Sequence, residues 1–170
     1  MTQFRFCPVC GSPLEGRVLR SGEPPRLVCI EPACRFVFYL DPKLAVGTII
    51  RMPDGRIVLL RRAIEPGHGL WVFPGGYVDR GEEVRAAATR EAREEAGIEI
   101  RLEGLVGVYS SPGTTAVILV YRAAWISGEL VIDDESSAIQ TFDVADLPWN
   151  ELAFSSTRDS LRDYVASTSA

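Results

Sequence analysis

The chain has 170 residues, enough for one well-packed domain or for a domain with a small accessory module. It is 46% hydrophobic and 24% charged, as ordinary globular proteins are, and its net charge of −5 argues against a surface that holds nucleic acid by bulk electrostatics. The sequence has no run of about 18 apolar residues and no basic-then-apolar start, so we expect a cytoplasmic protein with no membrane partner.

Four cysteines fall in the first 40 residues, with the spacing C-x2-C, a gap, and then C-x4-C. In a reducing compartment such paired cysteines are more often metal ligands than disulfides. We therefore expect residues 1–40 to form a zinc ribbon, a closed structural Zn²⁺ site with four thiolate ligands. The alternatives are two disulfides or inert thiols. The expected ligands are Cys7, Cys10, Cys29 and Cys34.

Residues 41–43 are interpreted as the hinge to a second domain, residues 41–170, in which strands dominate and helices are inserted. The pattern predicts a central helix between Gly76 and Ile98 and a final helix capped by Ser155 or Ser156 that runs to about Val165. The fold class is therefore α/β (α+β) with a mixed sheet. Strands are predicted at residues 44–50, 57–60, 71–73, 99–109, 116–126 and 138–142.

The central helix carries carboxylates where it should pack. At 100° per residue, Glu91 and Glu95 fall within its apolar stripe, and Glu94 lies beside the edge of the stripe. Crowded carboxylates resist ionisation unless something positive compensates them, and oxygen ligands suit Mg²⁺ or Mn²⁺. Arg90 can reach Glu94 at i+4, whereas Glu82 lies at the junction of loop and helix and should bend back toward the site. The apolar stripe consists of Val84, Ala87, Ala88, Ala92 and Ala96.

The spacing of these residues resembles the Nudix box. The box positions are Gly76, Glu82, Arg90, Glu91, Ala92, Glu94, Glu95, Gly97 and Ile98. The four-cysteine ribbon and the stretch Leu-Ala-Phe-Ser-Ser at residues 152–156 resemble zinc-ribbon Nudix hydrolases, among them plant-type FAD/ADP-ribose diphosphatases. The resemblance implies an α/β/α sandwich with a mixed sheet.

The resemblance also implies an activity, the Mg²⁺- or Mn²⁺-dependent hydrolysis of a nucleoside diphosphate linked to another moiety. It makes Glu91, Glu94 and Glu95 the metal ligands, with Arg90 and Glu82 in support. The catalytic base is then either a glutamate of the box or Glu135 from a later loop, whose alternative is a solvated charge. FAD or ADP-ribose is the first expectation for the substrate, NADH or another dinucleotide follows, and a nucleotide-binding module without turnover is the competing class. A homodimer is plausible from the family.

Candidates for substrate binding come from two residue types. Arg61 and Arg62 suit a phosphate or ribose, although a pair of arginines at a strand end is more often solvated. Aromatic rings suit a nucleobase, although each is more often part of a core. The aromatic candidates are Trp71, Phe73, Tyr77 and Tyr109.

Overall fold

The computed structural model describes residues 4–40 and 42–168, and the chain folds as two compact units, residues 1–41 and 42–170. Of the expected hinge, Asp41 lies outside the described residues and Lys43 already begins a strand. In the described ranges, no helix has the length and apolar character needed to cross a membrane.

The first unit is built on a small antiparallel sheet. Its strands are β1 (Leu14–Arg17), β2 (Arg26–Cys29) and β3 (Val37–Phe38), in the order β1-β2-β3. Little side-chain area is buried here, because Cys7, Val28 and Cys29 are the only buried residues described in this unit. A segment of this size cannot bury enough apolar surface to fold alone, so a metal held by its cysteines is the natural source of stability.

The second unit is organised by a six-stranded mixed sheet. Its strands are β4 (Lys43–Arg51), β5 (Ile57–Arg62), β6 (Trp71–Val72), β7 (Ile98–Tyr109), β8 (Ala116–Gly128) and β9 (Ser136–Phe142). The order across the sheet is β6-β5-β4-β8-β7, with β9 pairing with β5. β4 and β8 run parallel, and the other pairs are antiparallel. β4 is buried on both faces from Ala45 to Ile50, as its continuous apolar run predicts.

Two helices cover opposite faces of this sheet. Side chains of β4 alternate between the faces. Ile50 packs with Ala92 and Ala96 of α1 (Val84–Ala96), whereas Ile49 packs with Leu161 of α2 (Ser155–Thr168). The predicted α/β/α sandwich with a mixed sheet is thereby confirmed. Short 3₁₀ turns, Val144–Asp146 and Trp149–Glu151, lead into α2.

α1 closes on a glycine, whereas α2 differs from the sequence prediction at both ends, because it runs to Thr168 and not only to about Val165. α1 ends at Gly97 with φ 71°, a left-handed conformation that glycine adopts readily and that closes a helix. α2 begins one or two residues earlier than predicted, since the amide of Arg158 donates to the carbonyl oxygen of Phe154 at 3.1 Å. Phe154 thus occupies the cap position, and the predicted serine caps, Ser155 and Ser156, lie inside the first turn.

Candidate active site

Arg90 of α1 gathers three glutamates around one guanidinium. Its Nε and Nη2 donate to the two carboxylate oxygens of Glu82 at 2.8 and 2.9 Å. Its Nη1 donates to Glu91 at 2.8 Å and to Glu94 at 2.9 Å, and Nη2 also donates to the carbonyl oxygen of Tyr77 at 3.2 Å. The hydrogen bonds from Arg90 lower the pKa of Glu82 to about 2. The structure therefore brings these three carboxylates together around one positive charge.

Glu95 is held differently, by the main chain. The amide of Gly75 donates to its Oε2 at 2.7 Å, and the residue is only partly exposed. Burial raises the pKa of Glu95 to about 8, and the charges of Glu91, Asp133 and Glu135 add to this increase, against the opposing effect of the Gly75 amide. Burial also raises the pKa of Glu91, against the effect of Arg90. These two carboxyls therefore lie in surroundings that favour the protonated form until a positive charge arrives.

The loop before α1 is fixed to the central strand of the sheet. Val46 donates to the carbonyl oxygen of Gly76, and Thr48 donates to that of Pro74, both at 2.9 Å. Glycine is required on this path. A Cβ on Gly75 would overlap the carbonyl of Val46, and a Cβ on Gly76 would lie 2.5 Å from Oε1 of Glu91. Because Gly75 and Gly76 have no side chain, the loop packs directly against the backbone of β4 and against the Glu91 carboxylate of α1.

A cavity of about 1010 Å³ opens beside these groups. Pockets of about 300–1,000 Å³ hold small-molecule ligands, so this cavity has room for a dinucleotide-sized molecule. Seven residues named from the sequence contribute to its lining: Glu91, Glu95, Glu135, Arg62, Phe73, Tyr77 and Tyr109. Five do not: Glu82, Arg90, Glu94, Arg61 and Trp71.

The candidate binding residues fall into different surroundings. Trp71 is buried against Phe142, and the guanidinium of Arg61 lies over the Trp71 ring while its Nε donates to the carbonyl oxygen of Gly69 at 2.8 Å. Phe73 belongs to the core. Tyr77, by contrast, is 54% exposed. These placements separate core aromatic side chains from the ring that remains available at the cavity.

Three further lining residues differ in how they are anchored. The hydroxyl of Tyr109 donates to Asp163 of α2 at 2.8 Å, and Arg62 donates to the carbonyl oxygen of Pro66 at 2.8 Å while it lies over the Phe154 ring. Glu135 is exposed, and its carbonyl oxygen accepts from the amide of Ala63 at 2.7 Å.

The first turn of α2 also lines the cavity, and this role was missed in the sequence. Phe154, Ser155, Ser156 and Thr157 all contribute. The resemblance at residues 152–156 marked the segment but not its place at the cavity. No periodic signal shows which way a helix end points, because that depends on how α2 crosses the sheet.

Two sets of side chains are suited to metals. In the described part of the chain, the cysteines are the only group of at least three cysteine, histidine or acidic residues whose ligand atoms all lie within 4.8 Å of one another. Two sulfur pairs are 3.7 and 3.5 Å apart, close to the separation of about 3.8 Å that tetrahedral Zn–S bonds of about 2.3 Å produce. The four cysteines are free of disulfides, so the disulfide alternative is not what the structure shows.

The glutamates of α1 are not gathered as tightly, since the Arg90 guanidinium lies among three of them. Their chemistry nevertheless fits a hard divalent cation. All the donors are carboxylate oxygens, and burial raises the pKa of Glu91 and of Glu95, with neighbouring carboxylates adding to the increase.

Comparisons with known proteins agree with this geometry. A family model described as "NUDIX domain" matches residues 41–164, and one for the Nudix zinc ribbon, described as "Nudix N-terminal", matches residues 5–40. A protein of Methanocaldococcus jannaschii named ADP-ribose pyrophosphatase is 36% identical over 135 residues, which are 77% of this chain and 78% of that protein. A protein of Stutzerimonas stutzeri named NAD-capped RNA hydrolase NudC is 32% identical over 149 residues, which are 87% of this chain but 51% of that protein.

Solved structures give the same result. The crystal structure of a NUDIX hydrolase from Nitrosomonas europaea matches with a TM-score of 0.87 and 31% identity, covering 96% of this chain and 91% of that one. The glutamate cluster on α1, the matching fold and the family model over most of the chain lead to one assignment. The chain belongs to the Nudix hydrolase family, and its first unit matches the zinc ribbon that precedes the Nudix domain in part of that family.

Proposed function

We propose that this chain hydrolyses the diphosphate bond of ADP-ribose, releasing AMP and ribose 5-phosphate, with Mg²⁺ or Mn²⁺ as the required cation. The observation that carries the proposal is the meeting of the α1 carboxylates with a cavity of about 1010 Å³. The similarity to the ADP-ribose pyrophosphatase of Methanocaldococcus jannaschii, which extends over most of both chains, favours ADP-ribose over FAD.

In this proposal Glu91, Glu94 and Glu95 hold the divalent cation. When bound, the cation supplies positive charge for the diphosphate oxygens and lowers the pKa of a coordinated water. Arg90 keeps Glu91 and Glu94 in position through paired hydrogen bonds, and Glu82 completes the arrangement by fixing the guanidinium from its other edge. Positioning of this kind, and not covalent chemistry, is the main contribution of a protein to phosphoryl transfer.

The proton of the attacking water requires a carboxylate at the cavity surface. Glu135 is our proposal, because it lines the cavity and its charge raises the pKa of Glu95, which places the two carboxylates in each other's field. A glutamate of the box is the other candidate. Glu135→Gln separates them, since it should lower kcat without weakening Mn²⁺ binding if Glu135 is the base.

The nucleobase is proposed to stack on Tyr77. This ring lines the cavity, is 54% exposed, and already carries Lys43 over one face at 4.8 Å from the ring centroid. A partly exposed aromatic ring beside a charge offers a flat apolar surface that stays ordered without a ligand. Tyr77→Ala should therefore raise KM for every adenine-containing substrate by about tenfold, with a smaller effect on kcat.

A second candidate substrate is NADH or a related dinucleotide. The similarity to NudC proteins supports it, although this chain spans about half the length of those relatives. A panel of ADP-ribose, NADH, FAD and NAD-capped RNA, each with Mg²⁺ or Mn²⁺, ranks the candidates by kcat/KM. ADP-ribose should lead the panel. If NADH or FAD has a higher kcat/KM than ADP-ribose, that compound replaces ADP-ribose as the proposed substrate. Tight nucleotide binding without turnover of any of these compounds favours the non-catalytic alternative.

For the ribbon we propose one structural Zn²⁺ per chain, bound by Cys7, Cys10, Cys29 and Cys34. Four thiolates fill the coordination sphere, so no position is left for catalysis. Zinc well below one equivalent in freshly reduced protein contradicts this proposal. The homodimer expected from the resemblance stays a prediction, which sedimentation at several concentrations tests.

A further inference from the structure

Four residues from neighbouring segments form one row across the sheet. Ala45 of β4 pairs with Ile118 of β8, and Ile118 pairs in turn with Tyr109 of β7. On its other side, Ala45 forms a bridge with Tyr77. Directly paired residues point to the same face of a sheet, which here is the face covered by α2, because Ile118 and Tyr109 pack against the cluster that contains Leu161. All four residues of the row line the cavity.

The row gives the cavity an apolar floor with an aromatic ring at each end. Three strand spacings of about 4.8 Å separate the backbones of Tyr77 and Tyr109 by about 14 Å. Only Ala45 and Ile118 lie between them, so the two rings flank a gap that a flat ring system can enter. None of the four side chains is charged, so this part of the cavity suits a nucleobase and not a phosphate.

The Tyr109 ring is held in place from two sides. Its hydroxyl donates to Oδ2 of Asp163 on α2 at 2.8 Å. A Cβ on Gly107 would lie 2.6 Å from the hydroxyl oxygen, so the ring folds back over Gly107, two residues earlier on the same side of β7. Burial raises the pKa of Tyr109, and the hydrogen bond to Asp163 adds to the increase, so the hydroxyl remains a donor. The orientation of this half-buried ring therefore depends on a carboxylate of α2 and on a missing side chain of β7.

We infer that Tyr109 is a second wall for the nucleobase, opposite Tyr77, and that Asp163 is the positioning residue that holds the Tyr109 ring at the cavity. The inference rests on the proposed function, because it takes the base of ADP-ribose as the group that enters between the rings. Asp163 is not among the described residues that line the cavity, so it acts through Tyr109. Loss of either side chain should therefore raise KM and leave kcat nearly unchanged.

The first test compares AMP with ribose 5-phosphate, because only AMP carries the base. Calorimetric titration of full-length, zinc-loaded protein with Mg²⁺ measures both affinities without turnover. Tyr109→Ala should weaken AMP binding by about tenfold, as the loss of one stacking surface does, and should leave ribose 5-phosphate binding unchanged. Wild-type protein that binds AMP no more tightly than ribose 5-phosphate overturns the wall, and so does an equal loss of both ligands in Tyr109→Ala.

The second test concerns the positioning of the ring. Asp163→Ala and Tyr109→Phe should each weaken AMP binding by about threefold to fivefold, the value of one hydrogen bond. The double variant should lose no more than either single variant, because both remove the same contact. Asp163→Asn should bind AMP as wild-type protein does, since its amide oxygen can accept from the hydroxyl. Gly107→Ala, which forces the ring to move, should weaken AMP binding at least as much as Asp163→Ala.

Asp159→Ala is the matched control. This exposed carboxylate lies on the same helix, and its charge acts on Tyr109 without a hydrogen bond to the hydroxyl. The variant should bind AMP as wild-type protein does. An Asp163→Ala effect no larger than that of Asp159→Ala overturns the positioning role. Turnover of ADP-ribose is measured separately. Turnover with unchanged AMP affinity in Tyr109→Ala refutes the wall alone, whereas the expected AMP losses without turnover refute the hydrolase activity and support the wall.

Discussion

Replacing Glu95 with glutamine should stabilise the cation-free protein while it removes activity. The pKa of Glu95 is raised from 4.5 to about 8, mainly by burial. Between these pH values Glu95 binds a proton in the folded protein and releases it in the unfolded chain. The stability that this proton contributes is therefore fully present below about pH 4.5 and is lost as pH rises toward 8. Glutamine imitates the protonated carboxyl, including an oxygen that can accept from Gly75. The advantage of Glu95→Gln should therefore grow with pH.

The magnitude follows from the displacement of the pKa. At about 1.4 kcal/mol per pH unit, the full effect is about 5 kcal/mol. Solvent screening of a partly exposed residue reduces the expected gain to on the order of 2–3 kcal/mol at pH 8.5. At pH 5 the two proteins should differ by less than about 1 kcal/mol.

Urea denaturation followed by tryptophan fluorescence measures this difference, because Trp71, Trp125 and Trp149 all lie in the second unit. Glu99→Gln is the matched control. The pKa of Glu99 is lowered by the hydrogen bonds from Arg93, so its loss should destabilise the protein near neutral pH. Equal stability of wild-type protein and Glu95→Gln at pH 8.5, or a less stable variant, refutes the reasoning about burial.

Three further substitutions test the parts of the site. In steady-state kinetics, Arg90→Lys should lower kcat by about 10- to 100-fold, because an ammonium group cannot hold three carboxylates as the planar guanidinium does. Arg93→Lys, at an exposed ion pair, should leave kcat unchanged. Gly76→Ala should lower kcat at least tenfold, since the new Cβ would lie 2.5 Å from Oε1 of Glu91 and displace that carboxylate from Arg90; unchanged kcat contradicts this. Cys10→Ser should reduce bound zinc and expose residues 4–40 to protease, and full zinc with full protection contradicts the four-thiolate site.

Much of the fold follows from local patterns that tertiary contacts do not override. The run of buried residues in β4 predicts a central strand, and the alanine stripe predicts which side of α1 packs on the sheet. The position of Glu82 was also predictable in outline. Nine residues before Glu91, it cannot share that helical face, and the structure places it in the loop with its carboxylate on Arg90. The roles of these residues in catalysis stay predictions.

The lining of the cavity was less predictable, because it depends on register. Trp71 and Tyr77 look alike in the sequence, as aromatic residues on either side of a glycine pair. β6 pairs Trp71 with Arg61 and directs the indole into the core, whereas the bridge between Tyr77 and Ala45 leaves the phenol ring exposed. The approach of α2 to the cavity is a property of how helix and sheet cross. Sequence periodicity contains no information about that angle.

The most direct test of the central claim is the release of AMP from ADP-ribose by wild-type protein and by Glu95→Gln, with and without Mg²⁺. We predict that wild-type protein releases AMP and ribose 5-phosphate in equal amounts and only with the cation, and that Glu95→Gln lowers kcat at least a hundredfold. Full activity in Glu95→Gln, or nucleotide binding by wild-type protein with no release of AMP under any of these conditions, contradicts the account.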